Sequence, residues 1–225
     1  MYQLVYAAFI VLILYTSVYY LIPSIKWIFF SHKLGTVISV SRSPTHSFSK
    51  PTFNEIILIA NLGVEGDSHL GVEVQHLSRR KALPIPPNLR QVHLIQSELF
   101  DEFKAIGPDG KGYDINPGDL GENITTRGLD VLNLSVGTRL KFVNEGEDEN
   151  GKCAVVRVTG LRNPCPQISK FREGLMARCV VKDENGKVVE RKAGIMSVVE
   201  AGGVVKKGTR IVVKNPWMFK KQDMV

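Results

Sequence analysis

Cysteine is scarce: the 225 residues hold three, Cys153, Cys165 and Cys179. Three widely spaced thiols are too few for a disulfide framework, and without a CxxC pair they suggest no structural zinc. A reducing compartment fits that usage. Clustered basic runs are also missing, because the formal charge of +7 comes from 29 Lys plus Arg against 22 Asp plus Glu spread along the chain. Nucleic acid is therefore not an expected partner, and the surplus suits an anionic cofactor or an anionic membrane face. With 44% hydrophobic and 23% charged residues the chain is ordinary globular material, enough for one core and short for two domains.

Charge is missing altogether from residues 2–25, and residues 4–22 are almost wholly apolar, with Thr16 and Ser17 the plainly polar interruptions. At about 1.5 Å per residue such a run nearly crosses a hydrocarbon layer of about 30 Å. Tyr2 and Tyr6 at one end of it, and Tyr19, Tyr20 and Trp27 at the other, have the amphipathic character of interfacial residues. No polar face recurs at helical spacing, which disfavours a buried amphipathic helix. A cleaved signal peptide is the rival, but no positive residue precedes the run and no small-x-small site comes after it. Lys26 and Lys33 lie beyond it and place the next domain in the cytosol. The expected layout is a single-pass membrane protein: residues 1–33 as anchor and juxtamembrane segment, 34–213 as the domain, and 214–225 as a basic, solvated tail.

From Leu34 onward the chain consists of short β-like runs separated by glycine turns. Strands are expected over 35–40, 53–60, 90–95, 136–143, 153–159, 175–181, 194–199 and 208–213, with Arg90 on the outer face of a half-buried strand. Ser97 is placed to cap a helix through Leu99, Phe100, Phe103 and Ile106 that closes at Gly107, and a short helix can start after Pro166. Such a pattern predicts an α+β, β-rich barrel decorated by a few short helices.

Two glycine turns carry polar groups. Gly66-Asp67-Ser68-His69-Leu70-Gly71 brackets an acid and a histidine two residues apart, which in an extended segment point the same way. They read either as a weak metal pair, with only His76 nearby, or as a turn carboxylate beside a surface histidine. Asn116-Pro117-Gly118-Asp119-Leu120-Gly121-Glu122-Asn123-Ile124-Thr125-Thr126 reads equally as a polar ligand site or as a capped turn leading into a strand. The stretch Arg162-Asn163-Pro164-Cys165-Pro166 is more pointed. Proline on both sides keeps Cys165 out of helix interiors and central strands, so its thiol sits in a stiff loop with a defined direction. The alternative is a thiol buried as a small apolar group.

Taken together, Gly66 to Gly71, Arg90-Gln91-Val92-His93-Leu94, Pro117 to Thr126 with Gly128-Leu129, Thr159-Gly160-Leu161-Arg162-Asn163-Pro164-Cys165, Val136 to Leu140 and Gly194 to Val199 with Gly202-Gly203 resemble the MOSC family. The name refers to the C-terminal domain of molybdenum-cofactor sulfurase, and the match is nearest its small stand-alone members. The resemblance implies a mixed β-barrel that binds the molybdenum cofactor, a pterin carrying a phosphate and a dithiolene-held metal. It implies that Cys165 is the family's cysteine, ligating molybdenum or carrying sulfane sulfur; both roles need a thiolate. Arg162 would steady that anion or clamp the phosphate. Arg90 and His93 are candidate anion contacts, Asp119, Glu122, Asn123 and Thr125 candidate pterin contacts, and Asp67 and His69 complete the candidate set. The sulfurase's pyridoxal-phosphate domain has no room here, so pyridoxal phosphate is not expected. The layout is similar to the anchored amidoxime reductases, without their additional N-terminal barrel.

Three functions are compatible with this reading. One is a tethered molybdoenzyme reducing N-hydroxylated small molecules with an electron-donor protein. The second is a sulfur carrier holding a persulfide on Cys165, loaded by a sulfur-donor protein. The third is a structural domain in which Cys165 only packs.

Overall fold

Alternating burial along the chain shows how the strands are made. In the computed structural model, which describes residues 34–75 and 83–225, the strand Ala154–Leu161 alternates buried and half-buried side chains over its whole length. Its apolar face Ala154, Val156 and Val158 points into a core, as period-two patterning requires. The first half of the domain supplies β1 (Leu34–Ser41), β2 (Thr52–Phe53), β3 (Glu55–Ile59), β4 (Gly63–Val64), β5 (Val92–Gln96), helix α1 (Glu98–Lys104) and β6 (Ile124–Arg127). The second half supplies β7 (Arg139–Val143), β8 (Ala154–Leu161), the short helices α2 (Gln167–Phe171) and α3 (Leu175–Cys179), and then β9 (Val180–Lys182), β10 (Val188–Arg191), β11 (Ile195–Ala201), β12 (Gly203–Lys206) and β13 (Arg210–Lys214).

Seven of these strands close a barrel in the order β13-β7-β8-β11-β5-β6-β1, with β1 returning to β13 and β2 added to the end of β1. All barrel pairs are antiparallel except β5 with β6, so the expected mixed barrel is present. Closure removes free sheet edges. Inside, Val37, Leu94, Ile124, Leu140, Phe142, Val156, Ile195 and Ile211 form the main core. A second core, with Ile95, Phe100, Phe103, Leu120, Ile168 and Leu175, fastens the helices and the long loops to the outside of β5.

That second core explains two departures from the expected pattern. Alternation predicts a half-buried β5, yet Val92, His93, Leu94 and Ile95 are all buried because helices cover the outer face. Residues 175–181 read as one strand, but the first five form α3: Leu175 and Cys179, four apart, share a helical face on the second core, and strand begins only at Val180. The tail is not a solvated end either. Gln222 is buried and donates to the Val131 and Leu132 carbonyls, and Leu161 N–H donates to the Asp223 carbonyl at 2.8 Å. Among the described residues no helix is long and apolar enough to cross a membrane. The membrane helix expected over residues 4–22 lies outside the described residues.

Candidate functional site

The Cys165 loop hangs from the end of β8. Arg162 N–H donates to the Gly194 carbonyl at 3.0 Å, and the Cys165 carbonyl accepts from Ile168 N–H at 3.0 Å. Ile168 is fully buried in the second core, so α2 pins the loop just past its two prolines. The thiol points toward Gln167 Oε1 at 3.6 Å, and Cys165 is the one cysteine of the three that is not buried. Burial pushes the Cys179 thiol up to about 12 and raises Cys153 as well. A brief treatment of the folded protein with iodoacetamide at mildly alkaline pH should therefore label Cys165 and spare the other two, read by peptide mass mapping. Labelling of all three at equal rates would mean that the thiol is not presented.

Cys165 opens onto a cavity of about 570 Å³, within the range of small-molecule sites. Lys50, Arg90 and Arg162 line it together with His46, His69 and His93, and none of its described lining residues is a carboxylate. A concave surface of that sign concentrates anions. Arg162 has the clearest chemical need: its Nη1 is sealed from solvent with no hydrogen-bond partner among the described residues, and its guanidinium lies 5.9 Å from the Phe48 ring centre. Burial pushes Arg162 below its ordinary value, opposed by Cys165, Cys179 and Glu122.

The Asp67 turn forms the cavity's polar wall. Asp67 is buried and accepts from Lys50 Nζ at 2.7 Å, His69 Nδ1 at 3.0 Å, His69 N–H at 3.0 Å, Asn123 Nδ2 at 3.0 Å and Ser43 N–H at 3.2 Å. Burial alone would raise its carboxyl; the His69 hydrogen bonds and the Lys50 charge outweigh that and hold it well below the usual carboxylate range. Asp67 thus works as an anchor behind the wall, and His69, with its Nδ1 proton fixed, stands in the lining. His46 stacks obliquely on His69 with ring centres 5.3 Å apart. His76, the further candidate metal ligand, lies outside the described residues; among them no group of three or more His, Cys, Asp or Glu is arranged to hold a metal ion.

The expected contacts divide accordingly. Cys165, Arg162, Arg90, His93, His69 and Asn123 are brought together in the lining. Arg90 donates from Nη2 to the Val225 carbonyl oxygen. His93 is a neutral donor and not an anion contact, because burial first and the Arg162 charge next hold it well below its ordinary value, and its Nε2–H donates to the Ala193 carbonyl at 2.8 Å.

Asp119, Glu122 and Thr125 lie outside the lining and serve their own turn. Asp119 Oδ2 accepts from Asn116 N–H at 2.9 Å, and fully buried Glu122 Oε1 accepts from Gly118 N–H at 2.6 Å and from Thr125 Oγ1 at 2.9 Å. The glycines there make room for backbone instead of ligand. Gly118 and Gly121 have φ of +90° and +78°, and a Cβ on either would collide with the Lys50 or the Phe48 carbonyl. Those two glycines seat the loop that delivers His46, Phe48 and Lys50 to the cavity, none of which sequence reasoning singles out.

The barrel is similar to that of the YUAD protein from Bacillus subtilis, with a TM-score of 0.63 at 20% identity over 81% of this chain and 97% of that one. A structure described only as a hypothetical protein gives 0.52 at 20% identity over 83% and 69% of the two chains, and YiiM from Escherichia coli gives 0.49 at 20% identity over 83% and 73%. At such identities the likeness concerns the fold. No curated protein matches the chain. The MOSC domain model matches residues 66–212, from the Asp67 turn into the last barrel strand and well over half of the sequence, so the chain belongs to the MOSC family.

Proposed function

We propose that the cavity binds the molybdenum cofactor and that the protein is a molybdoenzyme reducing N-hydroxylated or related small molecules, with Cys165 as the protein's ligand to the metal. The observation that carries this reading is a single presented thiol sharing a cationic cavity with a buried, unpartnered arginine nitrogen. The residues present fit such a group. A soft thiolate suits a metal already held by sulfur donors, and a guanidinium suits a phosphate. Arg162 would take the phosphate, with Arg90 beside it in the lining, while the charge of Lys50 is already matched by Asp67. Asn123 is held by Ser41 and Asp67 and keeps the wall in register, so it positions the site without moving. His69, oriented through Nδ1 by Asp67, lines the cavity beside the place a substrate would take. When bound, the cofactor would supply the two-electron redox chemistry that no side chain here provides.

The thiol's exposure also favours a second reading, a carrier that holds sulfur on Cys165 as a persulfide. Full-length protein, purified from a host that makes the cofactor, decides between them. The first reading expects molybdenum and pterin together with reduction of an N-hydroxylated base. A persulfide on Cys165 by mass spectrometry, with neither metal nor turnover, would replace it with the second. A chain holding none of these would overturn both.

A further inference from the structure

Beyond the last barrel strand the chain exposes three consecutive large apolar side chains: Trp217, Met218 and Phe219 are 99%, 75% and 71% exposed. Single exposed apolar residues are ordinary, but a contiguous run needs an occupant. This run is not a loose end. It starts three residues after Lys214, where β13 stops, and it is tied down at Lys220, whose N–H donates to Ser135 Oγ at 2.8 Å and whose carbonyl accepts from Val136 N–H at 2.9 Å. Both feet of the loop are fixed while its tip faces solvent.

Its surroundings say what it meets. Lys214, Lys220 and Lys221 flank the tip, all exposed, and none has an ion pair among the described residues. A second copy docking through the same patch would set those lysines against one another. An anionic surface would not. Register adds a further argument: Leu34, the first residue of β1, pairs antiparallel with Val212, two residues before Lys214. β1 therefore begins at the same barrel end from which 217–219 project, and the sequence before it contains the uncharged stretch 2–25.

We propose that the Trp217-Met218-Phe219 loop is an interfacial membrane contact, its apolar tip seated at the boundary between headgroups and acyl chains of an anionic bilayer and its lysines on the lipid phosphates. Tryptophan with neighbouring lysines is the combination that bilayer interfaces select. Each lysine at such a surface strengthens association by about fivefold.

The test uses the full chain in a Trp27→Phe background, which leaves Trp217 as the sole tryptophan, reconstituted into vesicles with or without phosphatidylserine. Trp217 emission should shift to the blue and be quenched by lipids brominated along their acyl chains, in the anionic vesicles only. Joint replacement of Lys214, Lys220 and Lys221 by glutamate should abolish both signals. Absence of quenching in the anionic vesicles, or equal quenching in both kinds, overturns the proposal. A concentration-dependent blue shift without lipid would assign the patch to a second copy and overturn it as well.

Discussion

Replacing Asp67 by alanine should destabilise the domain by about 3–5 kcal/mol, the cost of leaving a buried charge without its partner. Lys50 and Asp67 side chains are 4% and 1% exposed and 2.7 Å apart, so removing the carboxylate strands an ammonium inside the protein. It also releases Ser43 N–H, Asn123 Nδ2 and both His69 donors at once. For a domain of this size the midpoint of thermal unfolding should fall by roughly 6–20 °C. The double variant Asp67→Ala, Lys50→Met removes the stranded charge and should recover much of the loss; if it recovers nothing, the ion pair is not the reason.

The same residue gives the domain a signed pH dependence. Asp67's folded carboxyl titrates below its unfolded value of 3.8. Its contribution is thus fully present above that value and is lost as the pH falls through it toward the folded one. Urea unfolding across the acid range should show wild-type stability dropping with acidification, by more than in Asp67→Ala. Equal acid sensitivity in the two proteins would mean that the depressed carboxyl is not coupled to folding.

The barrel can be read from the sequence because its strands alternate. β1, β7, β8 and β13 each show buried residues every second position or in short runs, and the sequence pattern puts each within a few residues of where it lies. Alternation fails where a second layer covers the outer face. That is why β5 carries four buried residues in succession, and why the apolar stretch 175–181 hides a helical turn ahead of β9. The candidate site divides along a similar line. Cys165 is legible because two prolines leave it few conformations, and Arg162 because it sits three residues before it. Lys50 is not, since a lone lysine in a serine-rich loop looks solvated until Asp67, 17 residues further on, is seen to bury it. Asp119, Glu122 and Thr125 mislead for a local reason: polar groups beside glycine satisfy their own backbone as readily as a ligand's edge.

Arg162→Met should make the protein more stable and its cavity nearly useless, a pair of effects with opposite sign. Nη1 is buried without a partner, and an unsatisfied buried donor costs about 1–3 kcal/mol, more if charged. A methionine of comparable length removes that penalty, so the thermal midpoint should rise. Charge-assisted bonds to phosphate are worth about 1.5–3 kcal/mol, and affinity for a phosphorylated pterin should drop roughly ten- to hundredfold. A purely structural arginine predicts the reverse: lower stability and no change in affinity. Cys165→Ser separates the thiol from this anion-binding task. Its side chain is partly exposed and, among the described residues, bonded only to Gln167, so stability and phosphate affinity should hold near wild type. An alcohol does not ionise to a soft anion near neutral pH, so metal retention and turnover should be lost together. Turnover that survives in Cys165→Ser while Arg162→Met behaves as described would leave the cavity an anion site and remove the thiolate from the chemistry.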